Sequence, residues 1–306
     1  MKYDLAIAHR VCPALSATAV GFSSKLEMVR ATANSLAVAI RGFKVKIFLI
    51  LDGCPYEYER LFSDVFSQPL TETSPGGMEI VRTPSIGNQA TWRLQIEKLL
   101  SVDDAEFLYF SEDDYIYDES AFRVMIDFMR RNSDVDFVSP LDHPDRYRNN
   151  INESRQVTVK VSPYCHWREV STTCLTFMMR QGLLSKVRRT FDTYSNGNLD
   201  STMWLGLTKD GVFDFPRMVW SMMSHILGLS KDYGKLLQLA AWKWHGLRLL
   251  TNRKCHLWSP LPTLAVHLSS SSLPLTADRI VGISGCDNEI RGMMLSHLGL
   301  GNVVEN

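Results

Sequence analysis

The sequence predicts an α/β fold, a mixed sheet flanked by helices with a helical insertion near the C-terminus, and three observations lead there. Apolar runs of strand length alternate with amphipathic segments of helix length through the first half, the pattern in which βαβ units are written. Acidic residues follow two of those runs, Asp52 directly after Leu51 and Glu112-Asp113-Asp114 after Phe110-Ser111, where open parallel sheets carry their ligand sites. From Met218 to His256 the chain is rich in Met, Leu and Trp and carries six Lys or Arg against the single acid Asp232, which reads as the insertion.

Taken in order, Tyr3 to Ala8 is the first strand. Ser24 and Glu27 have capping-box spacing, and Leu26, Val29, Ala33, Leu36 and Ile40 recur at helical intervals, so a helix follows. Val45 to Leu51 is a buried strand and Met78 to Val81 a short third one. Asn88 opens a helix whose apolar stripe is Trp92, Ile96 and Leu99. Phe107 to Phe110 is the fourth strand, and Asp118 is placed to cap a helix that buries Phe122, Met125, Ile126 and Met129. Asp136 to Ser139 closes the series. Residues 142–150 are polar and turn-rich; Gln156 to Val161, Thr172 to Met179 and Thr263 to His267 read as further strands.

Thirty-three basic residues balance thirty-three acidic ones in 306, so bulk electrostatic capture of nucleic acid is excluded. Six cysteines lie far apart with no CxxC pair, which fits reduced thiols in a cytoplasmic protein better than a disulfide or zinc framework. Neither a signal-peptide pattern nor a run of roughly 20 apolar residues is present, which argues against a membrane span. Peripheral contact at the inner face of a membrane stays open. Leu236, Ala240, Trp244 and Leu247 repeat at helical spacing beside Lys235, Lys243, Arg248, Arg253 and Lys254, a combination suited to a lipid surface. The alternative is that the apolar residues pack inward and the bases are merely solvated.

The chemistry is read from the acids. There is no GxxxxGK[ST] and no GxGxxG after the first strand, so a P-loop and a conventional dinucleotide site lack support. Three consecutive carboxylates at a buried strand's end repel one another unless a cation or hydrogen bonds offset the repulsion. Oxygen ligands suit Mg²⁺ or Mn²⁺, which completes its shell with substrate phosphates, and a diphosphate-bearing substrate is implied. The competing reading is a solvated turn leading into the Asp118 helix.

The stretch from Phe107 to Phe122 resembles the Glu-Asp-Asp variant of the Asp-x-Asp motif in glycosyltransferases of GT-A fold, family 2-like and of the N-acetylglucosaminyltransferase I type. Leu49-Ile-Leu-Asp52-Gly53 is similar to their second-strand acid, and Gly87-Asn88-Gln89-Ala-Thr-Trp92-Arg93 to a stretch bordering the nucleotide. The resemblance implies a GT-A mixed sheet, a nucleotide-diphospho-sugar donor, a glycan or lipid-linked glycan acceptor, and Mn²⁺ or Mg²⁺. It implies Asp114 as direct metal ligand, Glu112 and Asp113 at the ribose or donor sugar, and Asp52 at the base or ribose. His9, Arg10, Asn88 and Arg93 would border the nucleotide. Asn198-Leu199-Asp200 resembles the acidic motif whose carboxylate is the base of inverting members, with Leu199 in place of a first acid; Asp200 is equally suited to start a helix. Glu169 is the reserve base. His267 is similar to a C-terminal histidine that completes the metal shell, with Ser269 to Ser272 behind it as a lid.

The expected organisation is a nucleotide-sugar-binding half at 1–140, an acceptor-binding half at 141–217, the basic insertion at 218–258, and a strand, lid and tail at 259–306. The loop from Asp142 to Tyr147 would serve donor-sugar or acceptor recognition. A sugar nucleotidyltransferase and a catalytically silent binding protein are the alternatives; the first normally has a Gly-rich loop after the first strand, where this chain reads Arg10-Val-Cys-Pro13-Ala14-Leu15.

Overall fold

The structure, a computed structural model, describes residues 2–15, 22–67, 77–144, 146, 158–227 and 233–269. In chain order the elements are β1 (Tyr3–Val11), α1 (Lys25–Ala39), β2 (Val45–Asp52), α2 (Tyr56–Ser67), β3 (Met78–Thr83), α3 (Asn88–Leu100), β4 (Ala105–Glu112), β5 (Tyr115–Tyr117), α4 (Ala121–Arg131) and β6 (Phe137–Val138). There follow β7 (Val159–Val161), β8 (His166–Val170), β9 (Phe177–Arg180), α5 (Leu184–Ser195), α6 (Asp200–Thr208), α7 (Phe215–Ile226), α8 (Tyr233–His245), α9 (Arg248–Thr251), β10 (Leu257–Leu261) and β11 (Ala265–His267). Nine strands form one mixed sheet in the order β3-β2-β1-β4-β9-β6-β10-β8-β7, and β5 pairs with β11 in a separate ribbon. Strands β3, β2, β1 and β4 run parallel. The order turns back between β1 and β4, so the carboxyl ends of these strands open a crevice there.

Alternation along the strands assigns each side chain to a layer. Leu5 and Ile7 of β1, with Phe107 and Tyr109 of β4, pack with Leu36 of α1 and Met125 of α4. Ala6 and Ala8, with Leu108 and Phe110, pack with Trp92 of α3, Phe191 of α5 and Trp204 of α6. Both faces of the central strands are therefore covered, which is why they read as near-continuous apolar runs. Trp92 is fully buried, and its indole N–H donates to the Phe191 carbonyl at 3.0 Å.

Several sequence expectations are corrected. Helix α1 is capped by Ser24, which accepts from the Glu27 N–H at 3.2 Å, but the Glu27 carboxylate reaches Ser23 rather than closing the box on Ser24. Asp118 does not cap α4, which starts at Ala121; it accepts from the Ser120 N–H at 2.8 Å and hydroxyl at 2.6 Å. Helix α2 and strands β5, β8 and β10 were not expected. Strand β10 begins at Leu257, inside the segment expected as the 218–258 insertion, and the main sheet draws strands from both expected halves of the domain. The expected strand at Thr172 to Met179 is the shorter β9, and residues 156–157 lie outside the described residues.

Helix α6 approaches α8 closely at Gly206. A Cβ there would collide with the ring of His245, which is buried and hydrogen-bonded to the Thr202 carbonyl at 3.0 Å. Alanine favours a helix by roughly 0.5–1 kcal/mol over glycine, whereas overpacking costs about 1–3 kcal/mol. The held ring decides the sign: Gly206→Ala is expected to lower the urea midpoint, and an unchanged or higher midpoint would mean that the imidazole swings aside freely.

Candidate functional site

A cavity of about 630 Å³ opens at the crevice and is lined by Arg10, Lys25, Asn88, the acids Glu112, Asp113 and Asp114, Asp200 and His267, among others. Its geometry follows from strand register. Arg10 of β1 lies directly opposite Glu112 of β4, and His9 opposite Ser111. Arg10 therefore shares the α3 side of the sheet with Glu112, donating to it at 2.6 Å and to the Asn88 carbonyl at 3.0 Å. Asn88 in turn donates to the Tyr194 hydroxyl at 2.9 Å.

His9 points the other way. It is buried against Phe62 of α2, with Nδ1 2.8 Å from the Ser111 hydroxyl. Burial, with the Lys25 charge adding to it, pulls its pKa down to about 3, so it stays neutral. It does not line the cavity, because neighbouring strand residues face opposite layers.

Asp113 also points away from Glu112. Its Oδ1 accepts from Lys25 Nζ at 2.7 Å and its Oδ2 from the Cys12 N–H at 3.0 Å. Both partners of this ion pair are less than a tenth exposed. Burial pushes the Asp113 carboxyl up to about 6 against the opposing Lys25 charge, and Asp114 adds to the rise. Lys25 was missed in the sequence. The signal was there: a lysine directly after the Ser24 cap sits at the positive end of the helix dipole, which disfavours it, unless an acid nearby compensates.

The third acid meets the C-terminal part of the chain. Strand β11 pairs antiparallel with β5, which places His267 opposite Tyr115, and the two rings stack at 4.8 Å. His267 Nε2 lies 3.0 Å from Asp114 Oδ2, while Asp114 Oδ1 is buried without a hydrogen-bond partner. Burial alone would lower the histidine's pKa and raise the carboxyl's, but their mutual attraction outweighs it. His267 is raised and Asp114 lowered.

Asp52 reaches the cavity wall, yet its carboxylate is engaged locally. It accepts from the Thr83 hydroxyl at 2.7 Å and from the backbone N–H groups of Ile86 at 2.6 Å and Gly87 at 2.8 Å. It thereby holds the turn in which Ser85 and Gly87 have positive φ, and that turn delivers Asn88 to the site.

Asp200 is the first residue of α6, preceded by Leu199 at the cap position. Its Oδ1 accepts from the Ser201 N–H at 2.6 Å. Among the described residues it has no ion pair, and burial raises its pKa, with Glu112 contributing. A second cavity, of about 540 Å³, shares Gly87, Asn88, Tyr194 and Asp200 with the first and adds Gln89 and Asn198.

Two expected site residues are not brought in. Glu169 lies on β8, separated from β4 by three strands; it pairs with His256 at 2.7 Å and Lys254 at 3.3 Å. Arg93 projects from α3 to Asn196 at 3.3 Å on the exposed surface. Of the loop expected to recognise sugar, Arg146 is instead a buried tether, donating to the Ser259 hydroxyl at 2.6 Å, and residues 145 and 147–157 lie outside the described residues. So do Ser270 to Ser272 of the expected lid.

No family model and no curated protein matches the sequence. Among solved structures, S. aureus TarS 1-349 in complex with UDP aligns with a TM-score of 0.43 and 12% identity over 66% of this chain and 54% of that one. The glycosyltransferase GlyE of Streptococcus pneumoniae TIGR4 aligns at 0.41 and 10% identity over 95% and 63%. The 4-diphosphocytidyl-2C-methyl-D-erythritol synthase of Anaerococcus prevotii aligns at 0.35 and 13% identity over 65% and 80%. The chain thus spans about half of the TarS fragment, and at such scores the functional reading rests on the site itself.

The buried Lys25–Asp113 pair gives a direct test. Removing one partner of a buried pair typically costs about 3–5 kcal/mol, so Lys25→Met is expected to lose that much stability at neutral pH. A carboxyl whose folded pKa lies above its unfolded value of about 3.9 binds its proton more tightly when folded. Stability then falls as pH rises through that window, and without Lys25 the fall should be steeper and extend to higher pH. Adding Asp113→Asn should recover much of the loss. Urea titrations from pH 4 to 8 measure both; a variant as stable as the parent throughout would contradict the assignment.

Proposed function

We propose that the chain is a glycosyltransferase that moves a sugar from a nucleotide-diphosphate donor to a hydroxyl of a glycan or lipid-linked glycan, assisted by Mn²⁺ or Mg²⁺. Asp200 carries this reading. Its carboxylate stands on the wall common to two cavities, one holding paired acids and cations, the other lined by amides, a tyrosine hydroxyl and apolar side chains. A charged donor suits the first. A neutral, hydroxyl-rich acceptor suits the second, where Asn88, Gln89, Asn198 and Tyr194 offer donors and acceptors in both senses. The likeness of Glu112-Asp113-Asp114 and Asn198-Leu199-Asp200 to GT-A motifs agrees with this division.

The residues present fit a divalent cation. Among the described residues no three His, Cys, Asp or Glu side chains are grouped to hold a metal by themselves, but the partnerless Asp114 Oδ1 offers one donor, and a neutral His267 would offer a second on exchanging its contact with Asp114 Oδ2 for the ion. A hard cation of this kind commonly takes its remaining ligands from water and substrate phosphate. When bound, the ion supplies neutralising charge for the departing diphosphate. Arg10 and Lys25 line the same cavity from opposite layers, each paired with an acid of the triplet. Asp200 accepts the proton of the acceptor hydroxyl as that oxygen attacks the anomeric carbon, and a base on the face opposite the leaving group gives inversion. Its burial-raised pKa makes it a stronger base than an exposed carboxylate.

Asp114→Ala is expected to abolish the Mn²⁺-dependent part of the thermal shift produced by UDP or GDP, and to abolish transfer. Retained metal-dependent stabilisation would overturn the metal assignment. Asp200→Asn should bind nucleotide as the parent does while losing about 10²–10⁴-fold in transfer. In the parent, the rate should fall as the pH drops through the raised pKa of Asp200. Release of pyrophosphate from a nucleoside triphosphate and a sugar phosphate, rather than nucleoside diphosphate from a nucleotide sugar, would favour nucleotidyl transfer.

A further inference from the structure

Helix α7 is apolar on the side it turns to solvent. Val219, Trp220, Met222, Met223 and Ile226, with Leu227 just beyond its end, are between 39% and 74% exposed. Met218 and Ser224 alone among its described side chains are buried. The helix is moored at its start, where Phe213 and Phe215 lie against Trp242 of α8 at ring distances of 5.8 and 5.4 Å. Leu247 and Leu250, in and beside α9, are 75% and 61% exposed. A soluble chain rarely leaves an apolar helix face of this kind uncovered unless something binds it.

Charge identifies the occupant. From Phe215 to Lys254 the sequence holds seven Lys or Arg and one acid, Asp232, within a chain of zero net charge. Lys243, Arg248, Arg253 and Lys254 are exposed. Arg253 and Lys254 are spoken for by Asp136 and Glu169, leaving Lys243 and Arg248 as the exposed bases without an ion pair among the described residues. No helix among the described residues is long and apolar enough to cross a membrane. An apolar helix of three turns with a tryptophan, flanked by bases and nearly free of acids, is the composition of a segment that lies in a bilayer interface.

We propose that α7, with Leu247 and Leu250, docks the protein on an anionic lipid surface, the apolar side chains entering the headgroup boundary and Lys243 and Arg248 facing lipid phosphates. This docking does not depend on the proposed transferase activity.

The test is flotation of the full-length protein with vesicles of phosphatidylcholine alone and of phosphatidylcholine with 30% phosphatidylglycerol. Binding is expected to the anionic vesicles, weakening with salt. Trp220→Glu with Ile226→Glu should reduce it by about tenfold or more, and Lys243→Glu or Arg248→Glu by about fivefold each. These side chains are exposed, so the variants should keep the parent's melting temperature and its nucleotide-induced thermal shift; the shift, which reports the site, can fail or survive separately from flotation. Absence of flotation with either vesicle overturns the proposal, as does flotation unchanged in the double variant. So does a parent that is dimeric by light scattering, becomes monomeric in the double variant and binds no vesicle, since the face would then join two copies of the chain.

Discussion

Three consecutive carboxylates stand at the end of one strand, the middle one buried and its neighbours half-buried, and each is answered by its own partner. Glu112 faces the α3 layer and meets Arg10 from β1; Asp113 faces the opposite layer and meets Lys25 from α1; Asp114, past the strand, meets His267 from β11. Three separate parts of the chain thus converge on three adjacent residues. The turn that begins after Glu112, the last residue of β4, makes this possible, since it sends Asp113 away from Glu112 instead of stacking their charges on one face. Like charges this close, in a medium less polarisable than water, would otherwise force at least one carboxyl to take up a proton.

Pairing also sets what the cavity offers a ligand. The acids that dominate its sequence are largely answered by internal cations, so Arg10 and Lys25 are held rigid beside the carboxylates rather than extended into water. Two groups stand outside this arrangement: Asp114 Oδ1, buried with no donor, and Asp200, with a backbone N–H and no ion pair among the described residues. An orphaned buried acceptor costs stability, and such a cost is commonly retained where a ligand removes it. On the proposed function, Asp114 Oδ1 and the Asp200 carboxylate are where a cation and a proton would be received.

Much of this was legible in sequence because it depends on local rules. The central strands are apolar runs buried on both faces, Ser24 announces α1, and acids directly after strands mark the crevice. What was not legible depends on pairing across distance. Strand β5 is only Tyr-Ile-Tyr and exists because β11 lies beside it, so nothing local announced that His267 would be carried onto Asp114. Strand β10 contains Pro260 and follows a run of bases, yet it pairs with both β6 and β8. Glu169 was misplaced for the same reason, since its distance from the crevice follows from strand order and not from spacing. His9 and Arg10 are adjacent in sequence, and only the identity of the layers on either side of β1 decides which one faces the cavity.

The helical segment is not an appendage hung on this sheet. Helix α6 begins with Asp200 at the cavity, and two residues further on the Thr202 carbonyl meets His245 of α8, in the space that Gly206 leaves open. The Trp242 indole on α8 donates to the Val212 carbonyl at 2.5 Å, and its ring also carries Phe213 and Phe215 at the root of α7. A continuous set of packed and hydrogen-bonded groups therefore runs from the candidate base to the exposed apolar helix. Because packed interiors transmit displacement rather than absorb it, a surface that fixed α7 would also limit how far α6 can move. If Asp200 is the base and α7 docks as proposed, the position of that carboxylate would be set jointly by the sheet's crevice and by the surface that holds α7.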